Sequence, residues 1–451
     1  MEIVLAIIGA IGIALITLKY PIVALAFYLT TSFVKPLLFM HVGFFQVVDY
    51  TLICALLMLW AMTYNFIRDG GRFREIFELP MGLFMALALV LLFGVLYTTA
   101  PHYGFQKSSR FAVLNLIAFA SPLLFVRQIR TIKHMFILLV LVGLAISIGT
   151  IVAPHAGVLR EQAKARASFL ETSPLEAASM MATAAVICFC WCIATFTTFR
   201  AKIISALLIP VILTAVIISG SRGPFIGFGL CAIAALFLCR KQVSVMAIPL
   251  MFVIFIAGSV WMVRQFPAQE VRRTMRIFSG TYDFKEVLRD RTQLYNMVLK
   301  NFGKSPVIGR GTGAYAMDMW GKDEAKYPHN IILELLYENG IIGVLIFIFF
   351  MWAIYRRWRD SKRLLLKEDA WGPEIAGYVN IVGLLVLYTL MQAMKSSDIE
   401  GNRFMFFCCG LVLASFKCLN NEYEAQLAYE AEGIEPADDA DISLLYGGQQ
   451  N

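Results

Sequence analysis

Thirteen apolar stretches recur along this chain, and they leave it few folds to choose from. Runs of about 17–25 apolar residues are the length of a membrane-crossing helix. A helix satisfies its backbone polar groups within its own segment, which the interior of a bilayer demands. With 59% hydrophobic and 16% charged residues, the chain lacks the polar surface that a soluble protein of this length needs. The expectation is an all-α polytopic transmembrane bundle of 12–13 spans, lodged in a lipid bilayer. The spans lie near 2–18, 21–40, 48–66, 80–99, 110–126, 135–153, 177–198, 203–219, 224–239, 243–263, 330–355, 375–394 and 403–419. Only Lys19 and Tyr20 separate the first two, hence the alternative count of twelve. The run from Ile3 to Leu18 lacks a basic leading region and reads as a retained helix.

Loop charge orients the bundle. One set of short loops holds sixteen Lys and Arg, among them Arg68, Arg127, Arg200, Arg240 and Arg356 to Lys367, whereas the opposite set holds eight. The richer set is expected in the cytoplasm. The chain then divides into a bundle over 1–263, with outward loops at 100–109, 154–176 and 220–223, and a long outward loop over 264–329. Helices over 330–419 and a cytoplasmic tail over 420–451 complete it. From Glu422 to Asp441 that tail carries eight acidic residues and no basic one, so it is expected to be disordered.

Other classes are excluded by chemistry. Most of the nine cysteines lie inside apolar runs, where Cys acts as a small hydrophobe. The alternation of Cys188, Cys190 and Cys192 does not put three thiolates on one helix face, so no metal site is expected. The formal charge of +8 fits loops facing anionic lipid, and no nucleic-acid motif is present.

Three outward segments carry unusual basic residues. The first, Arg160 to Phe169 with Lys164 and Arg166, reads either as a solvated loop or as a phosphate site. The second is Ser219-Gly220-Ser221-Arg222-Gly223-Pro224, where Arg222 stands at a helix start, among unpaired amides that favour an anion. An interfacial side chain reaching for water is the alternative. In the third, the long loop, residues 285–302 are amphipathic. Leu288, Tyr295, Val298 and Phe302 share a face with Arg291. A charge on a packing face needs a partner. It is either a carboxylate such as Asp283, Glu286 or Asp318, or a phosphorylated ligand. The turn Gly309-Arg310-Gly311-Thr312-Gly313 reads as a phosphate nest or as a plain turn.

His329 follows Pro328, and an apolar helix starts directly after it, where the long polar loop meets the membrane. An imidazole there can take a proton near neutral pH, as a general base must.

These segments together resemble the O-antigen ligase and polymerase superfamily of polytopic membrane glycosyltransferases. The resemblance lies in the Ser-Arg-Gly turn at 221–223, in Arg166-Ala167-Ser168-Phe169 followed by Pro174, and in Arg291 through Pro306 to Gly311. It continues through His329-Asn330 and Glu338-Asn339-Gly340-Ile341-Ile342-Gly343. The family often has Asn beside the upstream Pro, whereas this chain reads Glu171-Thr172-Ser173-Pro174. The resemblance implies transfer, without metal or other cofactor, of a glycan from an undecaprenyl-diphosphate carrier. The acceptor hydroxyl lies at the outer, periplasmic face of the inner membrane. For a ligase it belongs to lipid A-core, for a polymerase to a lipid-linked repeat, and for an oligosaccharyltransferase to protein. His329 would be catalytic. Arg222 and Arg291 would bind the donor diphosphate, joined by Arg166, Arg160 and Arg310, with Glu338 and Asn330 in support. The long loop would be the catalytic half. A transporter would instead place charges near the midplane of its spans.

Overall fold

In the computed structural model, residues 12, 14–32, 34, 35, 38, 48–68, 70, 77–152, 174–194, 197–238, 284–367, 371–396 and 398–431 are described. Helices follow one another in chain order. They are α1 (Pro21–Leu29), α2 (Tyr50–Arg68), α3 (Leu79–Gly94), α4 (Pro101–Phe125), α5 (Ile132–Val152), α6 (Pro174–Ile193), α7 (Phe199–Ile218) and α8 (Arg222–Leu238). The polar loop contributes α9 (Phe284–Phe302) and α10 (Ala314–Trp320). The chain closes with α11 (Ile331–Lys367), α12 (Pro373–Ser396) and α13 (Arg403–Ala431). Eight of the described helices are long and apolar enough to cross a membrane, and α3 and α8 are shorter apolar helices. The protein is therefore a helical, multi-pass membrane protein. The expected span at 243–263 and most of that at 2–18 lie outside the described residues.

Between helices in lipid there is no hydrophobic driving force, so close packing must hold the bundle. Its centre is aromatic. Phe84 of α3 stacks on Phe111 and Phe119 of α4, each at 5.2 Å, and meets Phe406 of α13 edge-on at 5.4 Å. Phe350 of α11 closes the cluster 5.5 Å from Phe119. Small residues set the remaining contacts, as where Gly143 of α5 lies against Ala184 of α6.

Two boundaries differ from expectation. Residues 101–110 are not a loop but the first turns of α4, which passes through a π-helical turn at Phe111–Asn115. Pro101 suits a first helical turn. The carboxylate of Asp323 accepts from the amides of His102 (3.0 Å) and Tyr103 (2.9 Å), capping the start. Hydropathy falls through this segment because its polar groups have tertiary partners. At the other end, α13 runs on to Ala431, so 420–431 are helical rather than disordered. Asn420 bonds Glu424 one turn later at 2.7 Å, which adds local helical support. Residues 432–451 lie outside the described residues.

Helix α11 is broken at Gly340, whose φ of 64° and ψ of −160° are not helical. Such a break orphans backbone groups on either side, and the segment 306–311 takes them up. The amides of Arg310 and Gly311 donate to the carbonyls of Tyr337 (2.9 Å) and Glu338 (2.8 Å). Ile341 donates to Pro306 at 2.9 Å and Ile342 to Val307 at 3.3 Å. The approach is so close that a β-carbon on Gly340 would strike the Val307 carbonyl, and one on Gly309 that of Glu338. The segment 306–311 is thus stitched into the span that carries His329 at its start.

Candidate active site

The glycine-rich turn is structural. Its amides at 309, 310, 311 and 312 donate to the carbonyls of Ser305, Tyr337, Glu338 and Gly94, leaving none of the four to cradle a phosphate. Thr312 bonds the carbonyl of Leu91 at 2.7 Å, tying the turn to the end of α3. Arg310 pairs through Nε with Asp318 at 2.9 Å. Asp318 also accepts from Tyr337 (2.8 Å) and Thr99 (2.9 Å). Burial alone would raise the Asp318 carboxyl, but these three hydrogen bonds outweigh it and hold it below the usual carboxylate range. Arg310 is therefore engaged in a framework pair.

His329 is exposed and has a φ of 57°, the left-handed region that only this non-glycine residue adopts among the described residues. Its ring stands edge-on to Tyr327, with centroids 4.8 Å apart. A side chain in this region costs about 1–2 kcal/mol, and such strain concentrates at functional sites. The strain has a local cause in Asn330, which caps α11. Its Oδ1 accepts from the amides of Ile332 (3.0 Å) and Leu333 (3.1 Å). Its Nδ2 donates to the carbonyl of Met394, near the end of α12, at 2.9 Å. The chain must turn sharply to enter this doubly held cap, and His329 makes the turn.

The same end of α12 reaches the Arg222 turn. Gly220 adopts a φ of 65°, and the Ser221 amide donates to the Ser219 hydroxyl at 3.3 Å. Half-buried Arg222 then opens α8. Gln392 donates to the Gly223 carbonyl at 3.4 Å, and the side chain of Lys395 lies across Gly223 itself. One helix end therefore touches both the His329 turn, through Met394, and the Arg222 turn, through Lys395.

Of the other expected residues, Arg291 lies in α9, and its side chain is outside the described residues. Of the face expected for α9, Val298 is buried with Ala314, Tyr315 and Tyr337 in a second small core against α10 and α11, Tyr295 and Phe302 are half-buried, and the side chain of Leu288 lies outside the described residues. Arg160 and Arg166 lie outside the described residues. Glu338 is buried and pairs with Lys107 of α4 at 2.7 Å.

Three further residues contact these elements and were not among the expected site residues. Lys107 is fully buried and contacts Glu334 as well as Glu338. Glu334 in turn accepts from the amide of Ile399 at 3.1 Å, holding the turn after α12. A signal existed, because two acids four residues apart on one apolar helix need a cation between them. Lys395 had no signal beyond its charge.

Comparison with known proteins bears on this arrangement. Residues 206–348 match the family model Wzy_C, O-Antigen ligase. The match runs from within α7 into the first half of α11 and includes Arg222, Arg291, Arg310, His329, Asn330 and Glu338. No curated protein matches the chain. Over this segment the chain is similar to the O-antigen ligase family, and the match supports an O-antigen ligase-like role in polysaccharide biosynthesis.

Proposed function

We propose that the protein transfers a glycan from undecaprenyl diphosphate to an acceptor hydroxyl at the periplasmic face of the inner membrane. The observation that carries this reading is the shared contact at the end of α12. Asn330 bonds Met394, and Lys395 lies over Gly223, so a candidate base and a candidate anion site border one helix end. His329 accepts the acceptor's proton. The acceptor oxygen bonds the anomeric carbon as the carbon–oxygen bond to the diphosphate breaks, and the electron pair stays on the diphosphate. A single displacement of this kind inverts the anomeric centre. Arg222 and Arg291 neutralise the charge that develops on the leaving group, as fixed cations can in a site with little water. Lys395 adds a third positive charge beside Arg222. Arg310 and Glu338, already paired with Asp318 and Lys107, hold the frame.

The test is a reconstituted reaction in proteoliposomes with a lipid-linked glycan, offering lipid A-core and a second lipid-linked repeat separately. Product on lipid A-core, abolished in His329→Ala, supports the ligase reading. Product only on the lipid-linked repeat makes the protein a polymerase. Undiminished transfer in Arg222→Ala and Arg291→Ala removes the diphosphate assignment.

A further inference from the structure

A polar cleft opens beside the turn that follows α12. Its volume is about 140 Å³, and it is lined by Thr31, Ser32, Lys35, Asp49, Thr51, Arg110, Leu114, Glu400 and Arg403. A cleft of that size holds several ordered waters and can seat a small polar ligand such as a sugar ring. Three cations face two carboxylates. Lys35 pairs with Asp49 at 2.7 Å and Arg110 with Glu400 at 3.0 Å. Arg403 meets neutral oxygens instead, the Thr31 hydroxyl at 3.2 Å and the Tyr28 hydroxyl. From outside the lining, Glu176 of α6 also acts on Arg403 electrostatically.

Such a lining selects its ligand. Carboxylates and threonine oxygens accept from ring hydroxyls, and Arg403, which has no carboxylate partner within the lining, leaves the lining one positive charge in excess. Among the described lining residues, an apolar acyl chain finds a single partner, Leu114. We infer that this cleft binds a monosaccharide residue bearing one carboxylate or phosphate. Its position joins it to the transfer site, because the turn that supplies Glu400 and Arg403 is fixed from both sides. Asn115 donates to the carbonyls of Ile399 and Glu400, each at 3.2 Å, and Glu334, within the first turns after His329, accepts the Ile399 amide. The identification of the ligand as part of the transferred or accepting glycan rests on the function proposed above. The binding itself does not.

A phospholipid headgroup offers the same shared chemistry, hydroxyls with one anion, so the experiment separates the sources. Saturation-transfer NMR on the purified full-length protein in neutral detergent would use glucuronate, galactose 6-phosphate and uncharged glucose. The two acidic sugars should bind, and glucose should bind about tenfold more weakly, the worth of one charged hydrogen bond. Arg403→Gln keeps a donor toward Thr31 and should lower acidic-sugar binding about tenfold. Lys35→Gln, at a half-exposed position where folding is safe, should also weaken it. His329→Ala should bind as the parent does, so a failed transfer assay and a failed binding assay are separable results. Equal binding of glucose and glucuronate, or acidic-sugar binding unchanged in both variants, overturns the proposal. So does binding confined to phosphatidylglycerol in nanodiscs with none of the free sugars.

Discussion

The side chain of Lys395 occupies the space that a β-carbon on Gly223 would need. Built there, that carbon would lie 3.0 Å from Cε and 3.1 Å from Cδ of the lysine, and closer still to its ammonium. The glycine therefore admits a cation beside Arg222. Gly223→Ala should fold, because the obstacle is the far end of a flexible side chain and not backbone. Transfer should fall at least about tenfold as the ammonium is displaced, the worth of one charged hydrogen bond. Lys395→Met should show a similar loss, and the double variant should lose little more than either single one. Losses that multiply in the double variant would separate the two residues. The measurement is the initial rate in proteoliposomes at matched protein levels.

His329 allows stability and activity to be set against each other. Glycine adopts its φ of 57° without steric cost. His329→Gly should therefore melt no lower than the parent while transferring nothing. His329→Gln can orient an acceptor hydroxyl but cannot take its proton. It should lose at least about a hundredfold in rate, the usual range for a general base, together with the acid limb of the pH–rate profile. Retention of that limb in the Gln variant would assign the base elsewhere.

The fully buried Lys107 answers two carboxylates, those of Glu334 and Glu338. Lys107→Met leaves both uncompensated and should destabilise the protein by about 3–5 kcal/mol. Adding Glu334→Gln and Glu338→Gln to Lys107→Met should recover most of the melting temperature. A triple variant no more stable than Lys107→Met would show that packing, rather than charge, is what the lysine supplies.

Acid should loosen the segment around α10 at one identifiable point. Asp318 holds its proton less readily in the folded protein than an ordinary carboxylate, owing to Arg310, Tyr337 and Thr99 acting against burial. A depressed carboxyl contributes stability that is present above its unfolded value, near 3.9, and lost as pH falls through the lower folded value. Hydrogen exchange at 310–320 should therefore rise below about pH 4. In Asp318→Asn it should already be raised at neutral pH and change little on acidification. Equal acid sensitivity in the two proteins would locate the titrating group elsewhere.

The bundle was legible in the sequence because a membrane span announces itself in local composition. Each run of apolar residues must satisfy its own backbone, and no distant residue alters that requirement. The helices through 48–66, 135–153, 203–219 and 375–394 emerge close to where hydropathy puts them. The amphipathic face of 284–302 was equally readable, since its period is a property of one segment. Arg222 and His329 also stood out, as polar residues at helix starts beside turn-forming neighbours. What composition could not convey was partnership. Residues 101–110 look like a loop until Asp323 and the two glutamates of α11 are seen to absorb their polar groups. The turn 309–313 looks like a phosphate cradle until its amides are found spent on the break in α11. Lys395 is one charge among many until it lies on Gly223. Local periodicity is set by neighbours in the chain, and the chain alone determined it. Which buried cation meets which carboxylate, and which amide meets which carbonyl, depends on residues up to 285 positions apart, and only the packed bundle decided it.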